Sequence, residues 1–258
     1  MKLNQSVQRA AALVRAAAAQ PSGETASGLA RAAGLPNATA LRLIHTLESE
    51  GFLMRLPGDG RYVIGLDLVR LGRDIDAADL LLAVSRGALE RVAAETRESV
   101  TLSVLRGAER FDIVLQIDAP HLIQAVNWVG HSYPLHATSS GKILLAALDA
   151  PRLERVLSGP LERLTAATIT DPEALRREID GVREQGYSVI IDELEEGLAS
   201  VSVPILAAPG VLLGSVNVTG PTFRFDAGRR TEAIGCLRTA AEEIERALEG
   251  VVSGDGAA

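Results

Sequence analysis

Several short patterns in this sequence bring together residue types that can do chemistry. Ser139-Ser140-Gly141-Lys142 has the Ser-x-x-Lys spacing in which a lysine assists a serine nucleophile, but the companion Ser-Asp-Asn and Lys-Thr-Gly motifs are absent. Lys142 therefore reads as a first-turn surface or dimer-contact residue. His136, Ser139 and Asp192 supply the types of a hydrolytic triad without a Gly-x-Ser-x-Gly elbow to present the serine. His121, His131 and His136 stand 10 and 5 residues apart, with no His-x-x-x-His pair and no cysteine partner, which is poor spacing for a metal. Gly141-Lys142 lacks the leading glycine and the following Ser/Thr of a phosphate loop. The acidic run Asp192, Glu193, Glu195 and Glu196 reads as a solvated loop, with divalent-cation binding the remoter alternative. No catalytic residue, no metal and no cofactor are expected.

A different kind of chemistry fits Asn37 to Glu50, NATALRLIHTLESE. Ala40, Leu43, Ile44 and Leu47 stand at i, i+3, i+4 and i+7, one buried helical face. Ala38, Arg42, His45 and Ser49 then point outward, with Thr39 and Leu41 on the flanks. A small mixed face of this kind suits the DNA major groove. The neighbouring elements fit that use: a helix from Asn4 or Ser6 to about Gln20, a short helix Ala26 to Ala33 capped by Thr25, a turn at Gly34-Leu35-Pro36, and Asn37 as the cap of the third helix. Phe52 to Leu56, the turn cluster Pro57-Gly58-Asp59-Gly60, and Arg61 to Ile64 read as a two-stranded wing carrying Arg55 and Arg61. The pattern predicts a winged helix-turn-helix over residues 1–65, with Thr39, Leu41, Arg42, His45, Arg55 and Arg61 as its DNA-binding residues.

Charge agrees with this placement. Residues 1–65 hold seven basic and four acidic side chains, leaving −10 for the rest of a chain whose formal net charge is −7. Phosphate contact therefore belongs to one end only. Cys236 is the one cysteine, which excludes a disulfide framework and fits a reducing, cytoplasmic setting. The Ala-rich run Ala10 to Ala19 is interrupted by Arg15 and does not read as a signal peptide. No run approaches the roughly 18 apolar residues of a membrane span, so a soluble protein without membrane partners is expected.

Beyond the wing, 66–77 reads as a helical linker, with Asp76 capping a long helix whose stripe is Leu80, Val84, Ala88 and Val92. The period then changes to that of strands at Ser99–Leu105, Phe111–Ile117 and Leu122–Val129, with turns at Gly107-Ala108-Glu109 and Asp118-Ala119-Pro120. Helices follow from Ser139 or Ser140 to Leu148, after Asp149, and from Asp171-Pro172 to Gly186. Strands Tyr187–Ile191, Ala199–Ile205 and Val211–Val218 come next, the last two joined by Ala207 to Gly210. A final helix runs from Asp226 to Gly250, and residues 251–258 form a disordered tail. The fold class is α+β: a roughly six-stranded antiparallel sheet flanked by helices over 78–250, closer to a GAF or PAS sensor than to a doubly wound enzyme.

These residues also resemble a known family. "LARAAGLPNATALRLIHTLESEGFLMR…GRYVIG", "YPLHATSSGKILLA", "TITDPEALRREIDGVREQGYSV" and "SVNVTGPTFRF" are similar, in order and spacing, to segments of the IclR family of bacterial transcriptional regulators. The similarity covers about residues 5 to 249. It implies a winged-helix domain, a linker helix and a GAF-like effector-binding domain. It also implies a homodimer, or a tetramer built as a dimer of dimers, on a palindromic double-stranded DNA operator. Arg42 and Thr39 occupy the family's recognition-helix arginine and threonine, while Asn37 and Ala38 depart from the common lysine and serine.

The resemblance places the effector pocket at Ser139, Ser140 and Gly141, whose hydroxyls and amides at a helix N-terminus can receive an anion. The family's acidic pocket position becomes Ile190, its cysteine Ser200, and its two strand hydroxyls Asn217 and Thr219. With Trp128 and Leu135 nearby, this pocket is less polar than one shaped for glyoxylate or pyruvate, and the expected effector is a small organic acid with aromatic or partly apolar character. The competing class is a metabolite-binding protein or enzyme on the GAF-like domain, its N-terminal module serving dimerisation alone. A sequence-selective DNA footprint distinguishes the two.

Overall fold

The computed structural model describes residues 3–73, 77–106, 110–121, 126–131, 133–208 and 210–253. The chain divides into two units, Met1–Asp76 and Ala77–Ala258.

In the first unit the Asn4 side chain accepts from the Ser6 and Val7 amides and starts α1, Gln5–Ala18. Thr25 accepts from the Gly28 amide and starts α2, Ala26–Ala32. Gly34, at φ 65°, makes the left-handed turn that glycine takes without Cβ strain. The next helix, α3, is Asn37–Ser49, and here the expectation is corrected by one residue. Pro36 sits at the cap in an extended conformation with no side-chain cap bond, and Asn37 is the first helical residue. Strands β1, Leu53–Arg55, and β2, Tyr62–Ile64, pair antiparallel with Leu53 opposite Ile64. A bridge between Glu24 and Tyr62 covers the other edge of β2. Leu13, Leu29, Ala40, Ile44, Leu47, Leu53 and Tyr62 close the core, and α4, Leu66–Arg73, follows the wing.

The second unit begins with α5, Ala77–Thr96. Leu81, Ala88, Leu89 and Val92 are among its buried residues, whereas Leu80, assigned to the stripe from sequence, is 39% exposed. Ala88 and Val92 keep the expected stripe and Val84 packs against it, while at its start Leu81 takes the inward place of Leu80. Five strands follow in the sheet: β3, Ser99–Arg106; β4, Arg110–Ile117; β5, Ser188–Ile191; β6, Leu198–Ala208; and β7, Val211–Pro221. They are antiparallel in the order β4-β3-β7-β6-β5.

The sixth strand expected at Leu122–Val129 is not formed at 126–129, and Leu122 to Ala125 lie outside the described residues. The physical reason lies on β4. Gln116 accepts from the Trp128 amide at 2.9 Å and donates to the Val126 carbonyl at 3.2 Å, so a side chain stands in for a main-chain ladder. Asp76, residues 107–109 and residues 254–258 also lie outside the described residues. The β6–β7 turn is tighter than expected, with Ala208 opposite Val211.

Alternation along the strands gives the sheet two unlike faces. Val100, Leu102, Val104, Val201, Val203, Val216 and Val218 pack with α5 and with α9, Ala227–Ser253, which runs past the stop expected at Gly250. On the opposite face lie α6, Ser139–Ala147, after a 3₁₀ turn at Leu135–Ala137, then α7, Ala150–Leu157, and α8, Pro172–Gln185. Their Ile143, Leu144, Leu145, Leu153, Leu175 and Ile179 form a second core. Asp171 caps α8, and Gly186 ends it in a left-handed conformation.

Candidate functional site

On α3, Ala40, Ile44 and Leu47 are buried and Leu43 is half-buried. The opposite face presents Ala38, Leu41, Arg42, His45 and Ser49 to solvent, with Thr39 half-buried. His45 Nδ1 lies 3.8 Å from Glu48 Oε2, a loose exposed contact that leaves the ring to other partners. On the wing, Arg61 Nε is 3.0 Å from Asp59 Oδ2, while the Arg55 guanidinium lies against the turn at Gly60. The surface is a short helical ridge with one arginine and one histidine, beside a hairpin with two arginines.

In the second unit, one cavity of about 60 Å³ is lined by all nine residues expected from the sequence: Trp128, Leu135, Ser139, Ser140, Gly141, Ile190, Ser200, Asn217 and Thr219. Register explains how they meet. Ile190 on β5 is opposite Ser200 on β6, which is opposite Thr219 on β7, so the three form one row across the sheet. The first turn of α6 lies over that row. Thr138, not Ser139 or Ser140, is its cap, accepting from the Gly141 amide at 3.1 Å. This frees Ser139 for the sheet. A Cβ on Gly141 would stand 2.2 Å from the Leu135 carbonyl oxygen, so only glycine lets the helix start so close to the preceding turn.

The polar side of the cavity is a hydroxyl network. Ser200 Oγ donates to the Val218 carbonyl at 3.1 Å and lies 2.9 Å from both Ser139 Oγ and Thr219 Oγ1. With its own hydrogen committed to the carbonyl, Ser200 receives those of Ser139 and Thr219. An arriving anion can take those two hydrogens by rotation of the hydroxyls alone. The Ser139 and Ser140 amides, ahead of the Gly141 amide that Thr138 takes, add donors at the positive end of the α6 dipole.

The facing wall is apolar. Trp128 and Tyr133 meet edge to face at 4.9 Å, with Phe111, Ile113, Leu135 and Leu194 around them. A bulge in the β3–β4 pairing makes this possible: Leu115 stays in the α5–α9 core while Phe111 and Ile113 turn to the cavity. Trp128 Nε1 is buried without a hydrogen-bond partner among the described residues. Burial, aided by the Glu195 carboxylate, pushes the Tyr133 hydroxyl above its ordinary range.

Two expectations are corrected here. Lys142 is not a surface residue: it is fully buried, with Nζ 2.7 Å from Glu193 Oε1 and 3.1 Å from Glu178 Oε1. Glu193 is accordingly not part of a solvated loop. It is buried, and Thr165 and Thr168 hydroxyls hold the Asp192 and Glu193 carbonyls. Sequence spacing hid this pair because its partners lie 51 residues apart. Burial pushes the Glu193 carboxyl up, against the opposing pull of Lys142.

Hydrolytic chemistry finds no support. His136 Nε2 is held 2.9 Å from the Glu162 carbonyl, Ser139 by Ser200, and Asp192 Oδ1 by the Gly197 amide at 2.6 Å. Cys236 donates to Glu95, and burial followed by that bond pushes its thiol up to about 11, so it is no thiolate. Thr101, Phe111, Ile113, Tyr133 and Leu194 were not anticipated as lining residues. The alternation Ser99-Val100-Thr101-Leu102-Ser103 was the available signal for Thr101.

Residues 75–246 match the family model described as "Bacterial transcriptional regulator IclR C-terminal", and residues 6–57 match "IclR helix-turn-helix domain". The chain is 33% identical over 246 residues to the HTH-type transcriptional regulator Rv1719 of Mycobacterium tuberculosis, covering 95% of this chain and 93% of that one. It is 32% identical to the glycerol operon regulatory protein of Streptomyces griseus, covering 95% and 96%. Among solved structures, an IclR homolog from Microbacterium hydrocarbonoxydans complexed with 4-hydroxybenzoate is 30% identical, with a TM-score of 0.61, covering 95% of this chain and 100% of that one.

Proposed function

We infer the working of this protein from the premise that the chain belongs to the IclR family of bacterial transcriptional regulators, which are ligand-responsive DNA-binding proteins and not enzymes. Residues 1–65 read the operator, 66–77 form the linker, and 78–250 sense the effector. On DNA, Arg42 and His45, flanked by Thr39 and Leu41, contact base edges in the major groove, and Arg55 and Arg61 hold the adjacent backbone. A helix this short covers only a few base pairs, so two subunits on a palindrome are needed for specificity. Val7 on α1 and Leu66, Val69 and Leu71 on α4 are exposed large apolar residues. They supply the surface for a homodimer, and dimers pair into tetramers. Such a regulator acts in the cytoplasm, where its DNA is. No helix of the described residues is long and apolar enough to cross a membrane.

The effector is an aromatic or partly apolar carboxylate. One observation carries this: the cavity joins an α6 N-terminus and a hydroxyl cluster to a wall of Trp128, Tyr133, Phe111 and Leu135, with no Lys, Arg, Asp or Glu among the described residues of its lining. The ligand of the Microbacterium relative is of the same chemical class. At about 60 Å³ the cavity is smaller than the roughly 150 Å³ that holds a benzene ring, so binding must displace part of the wall. That requirement gives the ligand unequal affinity for two arrangements, the condition for altering operator affinity.

Titration calorimetry of the full chain with benzoate and 4-hydroxybenzoate tests the effector class. Binding that shifts operator affinity supports it, and heat from neither acid overturns it. Arg42→Ala is expected to weaken specific operator binding by about tenfold or more while effector binding stays unchanged. Unchanged gel-shift titrations would remove Arg42 from the interface.

A further inference from the structure

We propose that Thr101 sets the effector specificity of the cavity, by donating a hydrogen bond to an acceptor atom at the end of the effector opposite its carboxylate. This rests on the aromatic-carboxylate reading and adds the second polar group such a ligand must carry.

The direction of hydrogen bonding on the sheet face leads to this assignment. Asn217 Oδ1 takes the Ser215 hydroxyl at 3.3 Å, and its two amide hydrogens go to Thr101 Oγ1 at 3.0 Å and Ser103 Oγ at 3.1 Å. Thr101 thus spends acceptor capacity on Asn217, and among the described residues no acceptor faces its own hydroxyl hydrogen. Ser103 receives the same kind of bond but does not line the cavity, whereas Thr101 does. A buried hydroxyl with an unclaimed hydrogen, beside a cavity, favours a ligand that offers an acceptor and disfavours one that leaves it unmatched.

Register supplies the spacing. Thr219, at the hydroxyl cluster, is opposite Ser99, two residues from Thr101 on the same strand and face. Thr101 is therefore its diagonal neighbour, about 7–8 Å away. That interval is about the length of a substituted benzene ring. A carboxylate on Ser139, Thr219 and the α6 amides would bring a substituent at ring position 4 to Thr101, with the ring against Trp128 and Phe111.

The test uses titration calorimetry on the full chain with benzoate, 4-formylbenzoate and 4-vinylbenzoate, the last two differing in whether the terminal atom is an acceptor. Wild type is expected to prefer the formyl over the vinyl acid by about tenfold. Thr101→Val should abolish that preference, and Thr101→Ser should retain it. Should Thr101→Val not fold, because Asn217 loses an acceptor, Thr101→Ala leaves room for a water there and carries the same expectation. Absence of the preference in wild type, or its survival in both variants, overturns the assignment. A Thr101-dependent preference for 4-aminobenzoate over the formyl acid would reverse donor and acceptor and also overturn it. If wild type binds none of the acids, the aromatic-carboxylate reading fails as well; if benzoate binds without the preference, only Thr101 is misassigned.

Discussion

On β3, β6 and β7, adjacent residues of one strand do opposite work. Val100, Leu102, Val104, Val201, Val203, Val216 and Val218 face α5 and α9, while Thr101, Ser103, Ser200, Ser202, Ser215, Asn217 and Thr219 occupy the alternate positions. The aliphatic face is held by apolar burial, which is non-directional, and by close packing that a change of even one methylene disturbs. The hydroxyl face is held by hydrogen bonds of modest net worth, about 0.5–1.5 kcal/mol each, which can be re-made to a ligand with little loss. One face fixes the domain and the other can exchange partners. A period of two lets the same backbone supply both.

The comparison is open to breaking on either face. Leu102→Ala, which empties a fully buried site, should cost about 2–5 kcal/mol in urea unfolding. Val218→Thr keeps the shape and adds one hydroxyl to the dry face, and is expected to cost about 1–3 kcal/mol. A neutral result there would mean that this face tolerates polarity and is not the fixed one. The reciprocal Thr219→Val should cost under about 1 kcal/mol in stability yet weaken carboxylate binding by about tenfold in calorimetry. A stability loss as large as that of Leu102→Ala would erase the distinction.

How much of this was legible follows from which signals are local. The buried stripe of α3 can be read from Ala40, Ile44 and Leu47 alone, because a helix repeats its face within a few residues. The strands could be found from their apolar positions, but the hydroxyl face could not be assigned from them, since Thr101 gains its meaning only when Asn217, 116 residues away, is laid beside it. Resemblance placed Ser139, Ser200 and Thr219 in one pocket, and register gives the reason. The run Leu122 to Val129 has strand-like composition, yet Gln116 side-chain bonds take the place of a ladder at 126–128. The consecutive hydroxyls at 138–140 make the cap of α6 hard to read locally: Ser139 or Ser140 was the expected cap, and the Gly141 amide bond to Thr138 Oγ1 assigns it one residue earlier.

Lys142 and Glu193 mark the limit of the two-face scheme, because they put formal charge into the layer that covers the hydroxyl face. Glu193 meets Lys142 from α6 and, through it, Glu178 from α8, while its second carboxylate oxygen has no partner among the described residues. Burial raises the folded carboxyl above the ordinary 4.5, to which the unfolded chain returns. Between those two values the folded protein keeps a proton that the unfolded chain has released, so the contribution of Glu193 to stability falls as pH rises through that window. Glu193→Gln removes the titration while retaining a hydrogen-bonding side chain beside Lys142. Its stability is expected to decline less than that of wild type as pH rises above the ordinary carboxylate value in urea unfolding, a smaller effect than the three above because Lys142 opposes the shift. Parallel pH profiles would place the carboxyl in a solvated setting, and the layer over the hydroxyl face would then be wetter than its packing implies.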